Sequence, residues 1–313
     1  MISKNGVLQA MVYIPVSRRN PCPICGRVSW CATTSDGDMV ICRRSGGINA
    51  IQKIDCNGSP YWLHPLNNNT PKPVITPSST IKRADEDTLN AVYGCLLHYL
   101  ELSPEHHENL LKRGLSEHEI RKRQYRSLPD SDRWKIAKQI AAHFTADQLQ
   151  TVPGFIVKDG RYSPYWTLSG SSGLLIPVRD IQQRIIALKV RVNNDDGYGK
   201  YRYFSSSHHG GASSGSHIHI PLFDQPIGTV VRITEGELKA DITTAIDGLM
   251  TISVPGVSNW KQVLPTLKAM KITKVKVAFD RDAFTNEHVR RSLFGLITEL
   301  EKEDYTVCVE KWK

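Results

Sequence analysis

Lys274-Val275-Lys276-Val277-Ala278-Phe279-Asp280-Arg281-Asp282 is the stretch that decides the fold of this chain. Val275, Val277 and Phe279 alternate with Lys274, Lys276 and Ala278, the period-two pattern of a strand. The strand runs out into two carboxylates, Asp280 and Asp282. A helix follows over residues 285–302, where Val289, Leu293, Leu296, Ile297 and Leu300 recur at helical spacing. Residues 229–234 form a second apolar strand with the same ending, Glu235-Gly236, and a helix over 237–247. Between these two units lie an apolar run at 249–254, the turn Pro255-Gly256 and a helix over 259–270. A last strand is expected at 305–310. Such strand-helix alternation predicts right-handed crossovers and a parallel sheet.

In open sheets of this kind ligands gather outside the carboxyl ends of the strands, where Glu235, Asp280 and Asp282 all fall. Taken singly, Asp282 is an ordinary N-cap and Glu235 a solvated loop residue. Taken together, three carboxylates at one sheet edge repel one another unless a cation lies between them. Hard oxygen donors suit Mg²⁺ or Mn²⁺.

These residues resemble the Toprim domain, which is shared by bacterial primases, topoisomerases and some nucleases. Its marks are Glu-Gly after the first strand and Asp-x-Asp after the third. The resemblance makes Glu235, Asp280 and Asp282 the metal-binding catalytic set. The chain departs from the frequent Glu-Gly-x-x-Asp pattern, because Lys239 stands at its last position and an aspartate comes only at Asp241.

The chain has 313 residues, enough for two or three units, with 40% hydrophobic residues and a net charge of +9. A pI of about 9.2 points to a polyanionic partner. The sequence shows neither a long apolar run nor a signal-peptide pattern, so a cytoplasmic protein without membrane contact is expected.

Seven cysteines, four of them between Cys22 and Cys42, favour a metal over a disulfide scaffold. Cys22-Pro23-Ile24-Cys25-Gly26 reads as a knuckle, with Cys31 and Cys42 completing a set for tetrahedral Zn²⁺. His64 is the alternative to Cys31 as fourth ligand, and Cys56 a weaker one. A ribbon this small draws folding energy from its metal. Arg18, Arg19, Arg27, Arg43 and Arg44 are interleaved with Trp30, Tyr61 and Trp62. That pattern fits either single-stranded nucleic acid or a solvated face over core aromatics.

Four segments are expected: a zinc ribbon at 1–66, a Pro/Asn/Ser linker at 67–84, a helical and β-rich basic subdomain at 85–226, and an α/β Toprim domain at 227–313. The fold class is thus α+β and multidomain. In the third segment Ser103 and Ser116 cap helices, the latter in a capping box with Glu119. Arg121, Lys122, Arg123 and Arg126 read as a solvated face. Strands follow at 174–180 and 185–192. Residues 205–216 read as a flexible loop of Ser, Gly and His.

The run Leu175-Ile176-Pro177-Val178-Arg179-Asp180, with Lys200-Tyr201 and Ser205-Ser206, resembles the start of the catalytic core of bacterial primases. The order of ribbon, linker and core is similar to the Toprim primase-like proteins of phages, plasmids and other mobile elements. The resemblance implies a DNA primase that makes primers on a single-stranded template from NTPs, beside a replicative helicase. It gives Arg191 and Lys200, with Arg179 and Arg202, the role of holding template and nucleotide. No G-x-x-x-x-G-K-[ST] loop is present, so the chain carries no P-loop helicase. It is expected to be either a piece of a longer primase-helicase or a partner of a separate one. The rival readings are a Toprim nuclease and a non-catalytic zinc-ribbon protein that binds single-stranded DNA.

Overall fold

The computed structural model describes residues 13–35, 37–46, 50–54, 60–66, 81–194, 199–224, 227–279 and 287–310. The chain divides into two compact units, residues 1–77 and 78–313. The architecture is mixed α+β, with a cysteine-bearing antiparallel sheet in the first unit and a parallel sheet at the end of the second.

The first unit is a sheet of β1 (Tyr13–Pro15), β2 (Ala32–Thr34), β3 (Met39–Cys42), β4 (Ile51–Ile54) and β5 (Pro60–Pro65), in the order β1-β2-β3-β5-β4. Every pairing is antiparallel. Among the described residues its buried cluster is Val16, Cys22, Cys31, Val40 and Cys42, three thiols in five. Little apolar area leaves water here, as expected of a fold that leans on a metal. Cys56 and residues 67–80 of the expected linker lie outside the described residues.

The second unit begins with α1 (Glu86–Tyr99), α2 (Pro104–Lys112) and α3 (Glu117–Arg123). Asp85, Ser103 and Ser116 each cap one of these helices through the side-chain oxygen. Next come β6 (Arg126–Leu128), α4 (Arg133–Ala141), α5 (Ala146–Thr151), β7 (Phe155–Lys158) and β8 (Tyr165–Leu168). β9 (Gly173–Arg179), β10 (Ile185–Val192) and β11 (Tyr201–Tyr203) complete this part. β11, β10, β9 and β6 form one antiparallel sheet in that order, and β7 pairs with β8.

Period two sends alternate residues of this sheet to opposite faces. Leu175, Leu188, Val190 and Val192 pack with Leu89, Val92 and Leu96 of α1. Leu174 and Ile176 pack instead with Leu110, Ile120, Tyr125 and Leu238. Gly173 shows how tightly β9 meets β10. A Cβ there would lie 2.2 Å from the Arg191 carbonyl oxygen, so only glycine fits.

The C-terminal part is β12 (Val230–Glu235), α6 (Glu237–Asp247), β13 (Thr251–Val254), α7 (Val263–Ala269), β14 (Lys274–Val277), α8 (Glu287–Lys302) and β15 (Thr306–Val309). The strands are parallel, in the order β13-β12-β14-β15. Val231, Ile233, Ile252, Val275 and Val277 form the centre of its core, with Leu293, Leu296 and Leu300 of α8. The alternation in the opening stretch is the alternation of β14, where Val275 and Val277 are buried and Lys274 and Lys276 half-buried.

Four expectations need correction. The helix expected over 259–270 is a 3-10 turn at Val257–Gln262 followed by α7. Ser116 Oγ accepts the Glu119 N–H, but the Glu119 carboxylate is engaged by Arg123. The reciprocal capping box lies instead at Thr145 and Gln148. The basic run is not a solvated face throughout, for Arg123 is buried at 2% exposure because it ends α3 against α6. The Ser/Gly/His loop is anchored by buried Ser206, Ala212 and Ser214, and His219, just after it, pairs with Ser253 of β13. Among the described residues, no helix is long and apolar enough to cross a membrane.

Candidate functional site

In the first unit, the Cys22 carbonyl accepts the Gly26 N–H at 2.8 Å, and the Cys22 N–H donates to the Arg27 carbonyl at 2.8 Å. This tight knuckle turns Cys22 and Cys25 toward one point. Trp30, in the left-handed region at φ +67°, delivers Cys31 to it, and the end of β3 delivers Cys42. The four sulfurs lie within 4.8 Å of one another. Cys31 Sγ is 3.7 Å from Cys25 Sγ and 3.9 Å from Cys42 Sγ. Four sulfurs at about 2.3 Å from a tetrahedral Zn²⁺ stand about 3.8 Å apart, so the cluster fits that ion.

Burial works to raise the Cys25 pKa. The Arg27 N–H and the neighbouring thiols outweigh burial and bring it down to about 7. Burial pushes Cys31 up to about 12. His64 is not part of the cluster. Its Nε2 donates to the Ser45 carbonyl at 2.9 Å, which corrects the alternative that it replaces Cys31. Cys31→Ser is therefore expected to lower zinc content from about one ion per chain, while His64→Ala keeps it. Metal analysis of the two purified variants checks this, and the reverse pattern would reinstate His64.

In the second unit, Glu235 is the last residue of β12, half-buried and opposite Val254 of β13. Gly236 follows at φ +85°, a conformation that favours glycine, and opens α6. The Thr234 hydroxyl donates to the Ala278 carbonyl at 2.8 Å, and the Ala278 N–H donates to the Ile233 carbonyl at 2.8 Å. The chain leading to Asp280 is thus held alongside the end of β12 as far as these bonds reach. Asp280 and Asp282 themselves lie outside the described residues.

Beside this corner runs a basic ledge. Lys189 and Arg191 alternate on β10 and pair with Tyr203 and Tyr201 of β11. They share the sheet face of Leu174 and Ile176, the face against which α6 packs. Arg191 is half-buried, and its Nε is shielded from solvent without a hydrogen-bond partner among the described residues. Lys200 is exposed just before β11. Two other members of the expected set lie elsewhere. Arg202 pairs with Val190 and so stands on the opposite face, where it donates to Gly199 O and Ser171 Oγ. Arg179 is buried, and its guanidinium donates to Gln183 O at 2.9 Å and Gln124 Oε1 at 2.6 Å, leaving little to offer a template.

Two buried ionic groupings escaped the sequence. The Lys189 Nζ donates to both carboxylate oxygens of Glu237, at 2.8 and 2.9 Å, and lies 4.9 Å from the centre of the Tyr203 ring. One turn on, Asp241 accepts the Tyr125 hydroxyl at 2.5 Å and His219 Nε2–H at 3.1 Å, and forms an ion pair with Arg123, whose Nε lies 3.2 Å from Oδ1. His219 Nδ1 accepts the Arg179 backbone N–H, which fixes the ring proton on Nε2. Burial would raise the Asp241 pKa, but His219, Arg123 and the Tyr125 hydroxyl hold it below the usual carboxylate range. Asp241, which falls two residues past the position where the expected pattern has its aspartate, is thus a structural anchor. The available signal was the i, i+4 spacing of Glu237 and Asp241 on one helix face.

No family model matches the chain, and no curated protein sequence matches it. Solved structures do. The RNA polymerase domain of Mycobacterium tuberculosis primase DnaG superposes with a TM-score of 0.56 at 16% identity, covering 73% of this chain and 76% of that one. A DnaG primase catalytic domain bound to ssDNA gives 0.55 at 16% identity, covering 72% and 71%. The zinc-binding and RNA polymerase domains of Aquifex aeolicus primase give 0.53 at 14% identity, covering 73% of this chain and 56% of that structure. At these identities the likeness establishes the fold, which is that of a primase RNA polymerase domain.

Proposed function

We propose that this chain is a DNA primase that joins nucleotides on a single-stranded DNA template. The observation that carries the reading is the basic ledge of β10 and β11 beside the Glu235-Gly236 corner, within a primase fold. Arg191 and Lys200 would hold the triphosphate and the template phosphates, and Tyr201 would border them. The 3′-hydroxyl of the growing strand attacks the α-phosphate of an NTP, and pyrophosphate leaves. Glu235, with Asp280 and Asp282, would hold Mg²⁺ or Mn²⁺, which supplies charge stabilisation on the phosphates when bound. Among the described residues Glu235 fits, as a half-buried carboxylate at a strand end.

In the same reading Cys22, Cys25, Cys31 and Cys42 hold a structural zinc in a ribbon over residues 1–66. The linker is 67–84, the basic subdomain 85–226 and the Toprim domain 227–313. The order of ribbon, linker and core is the support for a mobile-element primase, which in this reading works in the cytoplasm beside a replicative helicase.

The decisive test incubates the protein with single-stranded template, labelled NTPs and Mg²⁺. Primers are the expected product. Template cleavage instead would identify a nuclease, and binding with neither activity a non-catalytic module.

In this reading the ribbon's cations help to bind the template. The Arg44 guanidinium lies 5.1 Å from the ring centre of Trp30, which is 74% exposed, and Arg43 lies 5.7 Å from that of Tyr61. Single-stranded DNA binding is expected to weaken steeply with salt, and deletion of residues 1–66 should flatten that slope. A salt titration of both forms checks this, and equal slopes would place the template entirely on the second unit.

A further inference from the structure

The corner that presents Glu235 is held from outside its own sheet. Glu237 is the first residue of α6, two residues past Glu235, and its side chain is only 1% exposed. A carboxylate at a helix N-terminus is favoured by the helix dipole, but one this buried needs a cation. Lys189 supplies it from β10, a strand of the basic ledge, and contacts both carboxylate oxygens. Tyr203, on the neighbouring strand β11, faces the same ammonium. The second anchor, Asp241, sits four residues along α6 and is gripped by Arg123, Tyr125 and His219, all from the basic subdomain. The helix that follows the acidic corner is therefore fixed at two points to the part of the molecule that carries Arg191 and Lys200.

We propose that Lys189 and Glu237 are positioning residues, which set the first turn of α6, and through Gly236 the Glu235 carboxylate, at a fixed distance from the basic ledge. The pair rests on the reading of Glu235 as a metal ligand at a nucleotidyl-transfer site, and it adds a requirement. The acidic corner and the basic ledge belong to different sheets, which are also joined by the Asp241 cluster, the packing of Leu238 and the His219–Ser253 pairing; the Lys189–Glu237 pair is the tie that acts on the first turn of α6, next to Glu235. Without it the rest of α6 stays anchored through Asp241 and Leu238, and the first turn, with Glu235 beside it, is free to shift. Glu237 and Lys189 touch neither template nor nucleotide in this scheme.

The test is a paired replacement, Lys189→Met with Glu237→Leu, which removes both charges together and so leaves no unpaired ion in the interior. The melting temperature is expected to stay near that of the unaltered protein. Amide exchange at Ala240, whose N–H closes the first turn on the Gly236 carbonyl, is expected to speed up about tenfold or more. The primer-synthesis kcat should fall by a similar factor with KM for NTP little changed, because Arg191 and Lys200 are untouched.

Lys189→Arg, which can still grip both carboxylate oxygens, should restore slow exchange and most of kcat. Glu237→Gln, of equal volume, serves if the double variant does not fold, and should show the same rise in exchange. Unaltered exchange and kcat in a folded double variant, or in Glu237→Gln, would reduce the pair to a stability contact. If the unaltered protein makes no primers, the primase reading falls, and the exchange measurement still decides whether the pair holds the corner.

Discussion

Asp241→Ala is expected to destabilise the second unit by about 3–5 kcal/mol, the usual consequence of removing one partner from a buried ion pair. Arg123 is 2% exposed and Asp241 equally hidden, so the substitution leaves a guanidinium in the interior with Glu119 as its one carboxylate partner among the described residues. It also strands the Tyr125 hydroxyl and His219 Nε2–H, both buried donors aimed at the lost carboxylate. For a unit of this size the melting temperature should drop by roughly 10 °C. Asp241→Asn keeps the shape and one acceptor and should lose less. It also carries the pH signature. The Asp241 pKa is lowered in the folded state, so its contribution is present above the unfolded carboxylate value, about 3.9, and is lost as pH falls through the lower folded value. The Asn variant should therefore show a flatter acid limb below about pH 4. A melting series across pH 2–7 checks both variants, and a change of under about 1 kcal/mol for Asp241→Ala would remove the anchor role.

The parts of the fold that were legible are those written in local pattern. The β12–α6 unit and β14 announce themselves because Val and Ile alternate along the strands, and Gly236 stands where the turn needs positive φ. Ser103 and Ser116 are readable as caps because the N-cap bond reaches only three residues. β6 was missed because its three residues gain their strand character from β9, not from their own sequence.

Charge was harder still. Arg123 stands in a basic run that looks solvated, and the partner that buries it lies 118 residues on. Nothing near Lys189 in the sequence shows that Glu237, 48 residues away, neutralises it. The thiol spacing pointed to a metal site, whereas the choice between Cys31 and His64 needed the sheet register that gives His64 to Ser45. Arg191 and Arg202 were indistinguishable by composition. A one-residue difference in strand parity puts them on opposite faces.

The acidic edge carries the largest expected effect on activity. Alanine at Glu235, Asp280 or Asp282 should lower primer synthesis about a thousandfold or more, because metal-borne charge stabilisation is worth several kcal/mol and each 1.36 kcal/mol is a factor of ten. The fold should survive. Glu235 is half-buried at a strand end, and if the three carboxylates share one site as proposed, removing one relieves repulsion, so the melting temperature without divalent ions should hold or rise. Added Mg²⁺ or Mn²⁺ should raise the melting point of the unaltered protein and have less effect on the variants, since an ion that binds only the folded state stabilises it by mass action. Binding to single-stranded DNA should change little, because the cations of the ribbon and the ledge remain. Loss of synthesis with binding and stability kept is the signature of a group acting on the reaction itself. Normal primer synthesis by Asp280→Ala and Asp282→Ala would sink the mechanism. Template cleavage that disappears in the same variants would keep the metal edge and make the protein a nuclease.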